Sequence, residues 1–354
     1  MKRPPHREEA APHLFIRHHV WSSKRHGDAG ASDMRKPIVV VTNHFLPEIE
    51  ARIDRQYVTR RNPNKTPLTC DDLLSLSEDA DAIFMTSFDR LDNAFFARVS
   101  SSVKVIATYS AGYEHIDVEA AAKRQIAIAN TPGINSNATA DVTMLLILGA
   151  SRRAYEAQNL LRAGAWIPLS SAGLLGRELT GKILGIVGMG HVGQAVARRA
   201  RGFGMEIHYT NPVRVAPTLA GEETFHANPL DLLAVSTFLS LNAPDTPETH
   251  HFINASTIAL LPQGAIIVNT ARGGLVVDED LIAALRSGRV AAAGLDVFEG
   301  EPHLHHDYLA LQNTFLLPHI GGGTVEAVTA MGMLALDNID AVLSGKPAPS
   351  LVKI

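Results

Sequence analysis

KILGIVGMGHVGQAVARRARGFGMEIHYTNPVR, residues 182–214, is the stretch on which the reading of the fold turns. An apolar, β-type run at 183–187 breaks into Gly188-Met189-Gly190-His191-Val192-Gly193. A helical pattern follows (Val192, Val196, Ala200, Phe203), and then a second strand pattern at 206–210. This is a βαβ unit in which each glycine has its own task. Gly188 makes the tight turn, Gly190 lets a pyrophosphate approach the backbone, and Gly193 lets helix and strand pack closely. The helix N-terminus adds free N–H groups and the positive end of the helix dipole, which suit phosphates. A GxGxxG on its own is a weak signal. With the strand before it and the helix and strand after it, it reads as a dinucleotide site.

The residue that reads the adenosine ribose is expected at the end of the second strand, about 20 residues on. Asn211 stands there, 18 residues after Gly193, and Arg214 follows three residues later. A carboxylate at this point would hold a 2′-hydroxyl and repel a 2′-phosphate. In its absence NADP(H) is the expected cofactor, with NAD(H) as the alternative. The bland reading is that Asn211 caps the strand and Arg214 is solvated.

The chain has 354 residues, which suits two domains of ordinary size, and 46% of them are hydrophobic, enough for a substantial core. A net charge of −4 leaves no electrostatic footprint for nucleic acid or an anionic membrane, so neither is an expected partner. The single cysteine, Cys70, rules out an internal disulfide and fits a reducing, cytoplasmic setting. The longest apolar run, 142–150, is far shorter than a membrane span. Residues 1–33 are rich in Arg, His and Pro and lack both a periodic apolar face and the apolar core of a signal peptide. The first clean strand follows Met34. The segment 1–36 is therefore expected to be a disordered tail or an over-called stretch upstream of a start at Met34.

From residue 38 short apolar strands alternate with helices. Strands are expected at 38–42, 82–86, 105–109 and 126–129, with helices at 70–76 and 118–123. Thr131-Pro132-Gly133 punctuates the chain, and a long helical pattern runs from 136 to 161. A looser stretch, 163–178, carries Trp166 and Pro168. Beyond the glycine motif, strands are expected at 238–241, 265–269, 292–295 and 315–317. The alternation predicts an α/β fold of two doubly wound, parallel-sheet, Rossmann-like domains, with four strands before Pro132 and six from Ile183 onward. The nucleotide domain, 133–318, is inserted into a flavodoxin-like substrate domain, 37–132 and 319–354, if a C-terminal helix at 325–343 returns to the first sheet. Internal repeats are absent.

Three later segments place polar residues at strand ends, where open α/β sheets bind ligands. Asn269-Thr270-Ala271-Arg272-Gly273-Gly274 sets an arginine after a buried strand, poised to hold a carboxylate in a two-pronged grip. Asp296-Val297-Phe298-Glu299-Gly300-Glu301-Pro302 brings three carboxylates to a strand end. Pro318-His319-Ile320-Gly321-Gly322-Gly323-Thr324 supplies a histidine before a glycine turn. Any one of the 16 histidines taken alone is more often structural than catalytic.

Together, in this order and spacing, the four motifs resemble the D-isomer-specific 2-hydroxyacid dehydrogenases, over a match from about residue 38 to the C-terminus. The resemblance implies that Arg272 binds substrate, that His319 is the acid/base, that Glu301 is its acidic partner, and that Asp296 lies beside the nicotinamide. Glu299 is then a neighbour without a direct role. Tyr109-Ser110-Ala111-Gly112-Tyr113-Glu114-His115-Ile116-Asp117 resembles the loop whose backbone N–H groups hold the substrate carboxylate, which points to Ser110, Ala111 and Gly112. Thr86, Ser87 and Phe88 are expected along the same cleft, and His115 on a helix surface. Asn242, Pro244, Thr270, Ala271, His191, Val192 and Gly321 resemble cofactor contacts. Thr131-Pro132 and Pro318-His319 are hinge candidates. No metal is expected.

The implied chemistry is consistent. Hydride reaching a 2-keto carbon builds negative charge on the carbonyl oxygen, so a proton donor must be at hand. A carboxylate beside an imidazole favours its charged form and decides which ring nitrogen faces the substrate. Arg272 clamps a carboxylate without competing for the proton. Two features depart from the family's usual pattern: Gly321-Gly322-Gly323 where Ser or Ala is usual after the histidine, and Val328 where an arginine is common. Within the family the chain looks most like NADPH-linked glyoxylate/hydroxypyruvate reductases, which implies a homodimer, with Trp166 in reach of the partner. Tyr109, Tyr113 and Phe88 are candidates to narrow the pocket. Two alternatives stay open: a reductase of D-lactate or of a larger 2-keto acid, and a nicotinamide-sensing interaction protein.

Overall fold

Two parallel sheets form the frame of the fold, and their central strands are short runs in which nearly every side chain is buried. The computed structural model describes residues 35–64, 66–166, 173–216 and 222–353. The expected N-terminal tail lies, up to Met34, outside the described residues, as does Pro168. Residues 37–354 form one unit.

The first sheet comprises β1 (Ile38–Val41), β2 (Val58–Arg61), β3 (Ala82–Met85), β4 (Val105–Thr108) and β5 (Ala127–Ala129), in the order β2-β1-β3-β4-β5. All its pairings are parallel, with Val39 facing Ala82 and Ile83 facing Ile106. Parallel sheets carry helices on both faces, so their strands read as apolar runs rather than alternations. One face packs on Leu73 of α2 (Cys70–Leu76), Phe95 and Phe96 of α3 (Asn93–Arg98), and Ala120 and Ala121 of α4 (Val118–Lys123). Thr69 and Asp72 close a capping box at the start of α2.

The other face packs on Ile49 and Ile53 of α1 (Pro47–Gln56) and on Ala335, Leu336 and Ile339 of the C-terminal helix, Val325–Leu343. The last helix therefore does return to the first sheet. After it, Leu351 bridges antiparallel to Ala129.

The second sheet comprises β6 (Ile183–Val187), β7 (Glu206–Thr210), β8 (Thr224–Phe225), β9 (Phe238–Leu241), β10 (Ala265–Asn269), β11 (Val290–Leu295) and β12 (Thr314–Leu316), in the order β12-β11-β10-β9-β6-β7-β8. On one face lie α5 (Ser136–Ser151) and α7 (His191–Gly202). On the other lie α8 (Pro229–Val235), α9 (Ala255–Ile258) and α10 (Asp278–Ser287), through Leu232, Leu233, Ile258, Leu281, Ile282 and Leu285. With these helices numbered in chain order, the C-terminal helix is α11.

Three features depart from the sequence expectation. Among the described residues the sheets have five and seven strands rather than the expected four and six, the additional ones being β2 and β8. Both are edge strands: β2 reads VTRR and is at most half-buried, and β8 is two residues long, so neither carries an apolar run. The helical pattern 136–161 is two helices, α5 and α6 (Ala154–Arg162), separated by Arg153 in the left-handed region at φ 53°. The first helix ends where the chain returns alongside it and the Arg177 N–H takes the Ser151 carbonyl at 2.8 Å.

Leu336 is fully buried between α11 and the first sheet. Leu336→Ala is expected to lower the stability of the protein by about 2–5 kcal/mol through lost transfer energy and the cavity left behind. Chemical denaturation checks this; a loss below about 1 kcal/mol would mean that α11 is not packed on the sheet in this way.

Candidate active site

The order of the second sheet reverses at β6, with β7 on one side and β9 on the other, and the crevice above such a point is where open sheets bind ligands. The glycine loop leaves β6 there. Gly188 has φ 94°, and a Cβ on it would lie 2.8 Å from the Asn242 carbonyl carbon and the Ala243 nitrogen, so the loops after β6 and β9 touch through it. A Cβ on Gly193 would collide with the Gly188 carbonyl oxygen, which is how α7 comes to sit directly on the loop. Gly190, at the N-cap of α7, faces open space. Next to it the backbone N–H of Met189 donates to Asn211 Oδ1 at 3.2 Å, and Asn211 Nδ2 donates to the Val213 carbonyl at 2.9 Å. Asn211 thus ties the end of β7 to the glycine loop and to the turn bearing Arg214. The Arg214 guanidinium lies over the Phe225 ring, 6.0 Å from its centre.

A cleft of about 760 Å³ opens beside this loop. His191, Val192, Asn242, Pro244, Thr270, Ala271, Arg272, Asp296, His319 and Gly321 line it from the second sheet and the crossing to α11. Ala111, Gly112, Tyr113 and Glu114 line it from the loop after β4. Asn242 keeps a buried Oδ1 without a partner, an acceptor left over for a bound molecule. An open Gly190, the free N-terminus of α7 and this acceptor together fit a dinucleotide.

His319 and Glu301 are joined by a short polar contact, Nδ1 to Oε2 at 2.6 Å. Glu301 is held on its other oxygen by the Phe298 N–H at 2.7 Å. The bond to Glu301 raises the His319 imidazole above its ordinary value against the opposing effect of burial, and the Glu301 and Asp296 charges add to the rise. Burial pushes Glu301 up, but the bonds from His319 and Phe298 and the nearby Arg272 charge win, leaving it lowered. With Nδ1 committed to Glu301, Nε2 is the nitrogen that remains for a substrate.

The turn that carries His319 is itself held. His319 has φ 55°, a region that a histidine enters rarely. The next two N–H groups, of Ile320 and Gly321, donate to the two oxygens of Asp296 at 2.8 and 2.7 Å. Asp296 is 1% exposed, and its burial raises its pKa while those two bonds and His319 pull it back. A Cβ on Gly321 would come 2.9 Å from Asp296 Oδ2, so a glycine at this place lets the turn close on the carboxylate. Glu299 turns away and pairs with His251 at 3.4 Å.

On the facing side, Arg272 reaches across the cleft. Its Nη1 donates to the Ala271 carbonyl at 2.7 Å, and its Nε and Nη2 meet Glu114 at 3.3 and 3.4 Å. A Cβ on Gly112 would collide with Arg272, so the glycine is what allows the approach.

Several expected residues are elsewhere. Ser110 does not line the cleft; its hydroxyl bonds to the Gly112 carbonyl at 2.6 Å and to Thr108 at 2.8 Å, shaping the loop from behind. Thr86 is engaged with the buried Asp89, and Phe88 is 76% exposed outside the cleft. Tyr109 meets Phe45 and Phe84 edge to face and donates to the Val328 carbonyl at 2.6 Å, so it packs beneath α11 instead of narrowing the pocket. Of the three aromatics only Tyr113 lines the cleft. His115 is half-buried in the loop before α4, 3.0 Å from the Thr108 hydroxyl, and burial lowers its pKa.

Glu114, Asn135, Thr139, Asp245 and Thr246 line the cleft and had no role in the sequence reading. Asn135 carried a usable signal. It opens α5 at a strand end, and its side chain makes no capping bond there.

The chain is similar to known proteins over most of its length. The family model for the D-isomer specific 2-hydroxyacid dehydrogenase NAD binding domain matches residues 144–321. Glycerate dehydrogenase of Hyphomicrobium methylovorum is 41% identical over 314 residues, 88% of this chain and 98% of that protein. Glyoxylate reductase of Thermococcus onnurineus is 40% identical, covering 89% and 92%. Among solved structures, a D-isomer specific 2-hydroxyacid dehydrogenase from Polaromonas superposes with a TM-score of 0.85 at 39% identity, covering 90% of this chain and 99% of that one. An NADPH-dependent glyoxylate/hydroxypyruvate reductase from Sinorhizobium meliloti, in complex with NADP and malonate, does so at 0.79 and 28% identity, covering 90% and 97%. The chain belongs to the D-isomer-specific 2-hydroxyacid dehydrogenases, a family that works with a nicotinamide cofactor.

Proposed function

We propose that the protein reduces glyoxylate and hydroxypyruvate to their 2-hydroxy acids with NADPH. The observation that carries the reading is the His319–Glu301 pair at 2.6 Å, whose histidine lines one cleft with Arg272 and with His191 and Val192 of the glycine loop. The printed activities of the relatives, glycerate dehydrogenase and glyoxylate reductase, support small 2-keto acids as substrates.

Arg272 binds the substrate carboxylate and polarises the 2-keto oxygen, a task for which a permanently charged, planar guanidinium is suited. The backbone of Ala111 and Gly112 receives the same carboxylate from the other side, with Ser110 bracing the loop. NADPH, when bound, supplies the hydride to the 2-keto carbon. His319 gives the proton from Nε2 to the developing alkoxide, and Glu301 stabilises the imidazolium beforehand and fixes the ring. Asp296 positions His319 and sits where the nicotinamide binds. Gly188, Gly190, His191, Val192 and Gly193 hold the pyrophosphate, with Asn242, Pro244, Thr270, Ala271 and Gly321 along the rest of the cofactor. Beside Asn211, Arg214 takes the 2′-phosphate, since no carboxylate stands at the end of β7 to repel it.

We assign 37–132 and 319–354 to substrate binding and 133–318 to the dinucleotide, with the Thr131-Pro132 and Pro318-His319 crossings as hinges whose closure excludes water. Leu161, Trp166 and Leu175 are exposed, at 56%, 69% and 67%, on α6 and the segment after it, which supports a homodimer through this region. The lone cysteine, Cys70, suits a cytoplasmic setting.

Steady-state assays of glyoxylate, hydroxypyruvate and pyruvate with NADPH and with NADH test the reading. Fast turnover of the first two with NADPH is the expected result, and no turnover of any 2-keto acid sinks it. Arg214→Ala is expected to weaken NADPH binding about tenfold to a hundredfold and leave NADH unaffected, as the loss of a charged hydrogen bond to phosphate would. Equal effects on both cofactors would remove Arg214 from the phosphate site. His319→Gln is expected to lose roughly 10²–10⁴ in turnover while retaining cofactor binding, and near-normal turnover would overturn the proton-donor role.

The pH profile gives a further check. Reduction needs protonated His319, so kcat/KM is full at low pH and falls as pH rises through the histidine's raised pKa. Glu301→Gln removes the main cause of the rise, and the alkaline fall should move toward lower pH. An unmoved profile would mean that the limb belongs to another group.

A further inference from the structure

Arg272 is already engaged in the cleft. Its Nε and Nη2 form the edge of the guanidinium that grips a carboxylate with two parallel bonds, and this edge faces Glu114 Oε1 and Oε2 at 3.3 and 3.4 Å. The remaining nitrogen, Nη1, is bound separately to the Ala271 carbonyl. Glu114 comes from the loop after β4, on the other sheet, and lines the same cleft. Both distances exceed the roughly 2.7–2.9 Å of a strong charged hydrogen bond. The side chains are 37% and 50% exposed, so the contact is open to exchange with an incoming anion. A side chain on Gly112 would collide with both partners; the glycine keeps open the corridor in which the two charges meet.

We propose that Glu114 is a specificity-determining residue: an internal carboxylate that holds the Arg272 grip until a substrate carboxylate takes it over, and that disfavours 2-keto acids carrying a second carboxylate. The inference rests on the reading of Arg272 as the substrate clamp. A monocarboxylate replaces one anion by another on Arg272, and the charge at the grip stays balanced while Glu114 turns to water. A dicarboxylate bound in the same way brings its second charge into the field of Glu114, and selectivity by such like-charge opposition needs no contact of its own. The pair contributes little to the fold, as exposed ion pairs do, so its consequence is for anion binding.

The test is Glu114→Gln in the full-length protein, with steady-state reduction of glyoxylate and of oxaloacetate at saturating NADPH. Inhibition by oxamate, a 2-keto acid analogue whose amide carbonyl is not reduced, is measured alongside. KM for glyoxylate and Ki for oxamate should both fall about two- to fivefold, the factor that corresponds to an exposed ion pair. The change should fall on KM and not on kcat, because Glu114 does not touch the His319–Glu301 pair. The kcat/KM of oxaloacetate relative to glyoxylate should rise. KM and Ki that stay level or increase, a kcat that drops with them, or an unaltered ratio each overturn the proposal. If neither protein reduces any 2-keto acid, the reductase reading fails, and calorimetric binding of oxamate to both proteins decides the role of Glu114. Tighter binding to the variant upholds competition for Arg272; equal or weaker binding overturns it.

Discussion

The buried carboxylate of Asp296, closed on the N–H groups of Ile320 and Gly321, is the constraint on which the cleft depends. It joins the end of β11 to the turn that follows β12, and that turn leads into α11, the helix packed on the first sheet. His319 stands at φ 55°, in the left-handed region where a Cβ crowds the backbone. Two short bonds accepted by one carboxylate hold the turn that follows, and the low-dielectric surroundings strengthen them. His319 is thereby presented to Glu301 as a consequence of backbone geometry, before any substrate arrives.

The three carboxylates of one short segment have separate fates, set by surroundings and not by type. Burial raises Asp296, and its remaining capacity goes to structure. Glu301 is lowered because a histidine, a backbone N–H and the Arg272 charge all favour its anion over the cost of burial. Glu299, half-exposed, faces His251 outside the cleft. Environments that push like groups apart in this way are how a single loop supplies both a positioning residue and an acid/base partner.

Across the cleft the same economy holds. Arg272 belongs to the second sheet, yet its grip is turned toward a loop of the first, and Gly112 is where that loop makes room for the guanidinium. The polar groups stand at the strand ends because the strands themselves are buried on both faces and leave no room for them. Chemistry in this protein is confined to the rim where the helices stop covering the sheets.

The sequence by itself determined the class of fold and the motifs. Glycine spacing, apolar runs and their alternation with helical patterns are local properties, and the tasks of Gly188, Gly190 and Gly193 follow from backbone sterics within a few residues of one another. Arg272, Glu301 and His319 could be picked out because each lies in a motif at a strand end. The tertiary structure alone decided what those residues meet. That Arg272 faces Glu114, that Tyr109 lies under α11 and not in the pocket, and that Asp296 binds a turn 24 residues further on are distances between segments far apart in the chain. The same holds for the edge strands β2 and β8 and for the break at Arg153. These two strands carry no apolar run of their own, and α5 ends where a returning segment claims the carbonyl of Ser151. Such features arise from the packing of two sheets and their loops against each other, which no local pattern encodes.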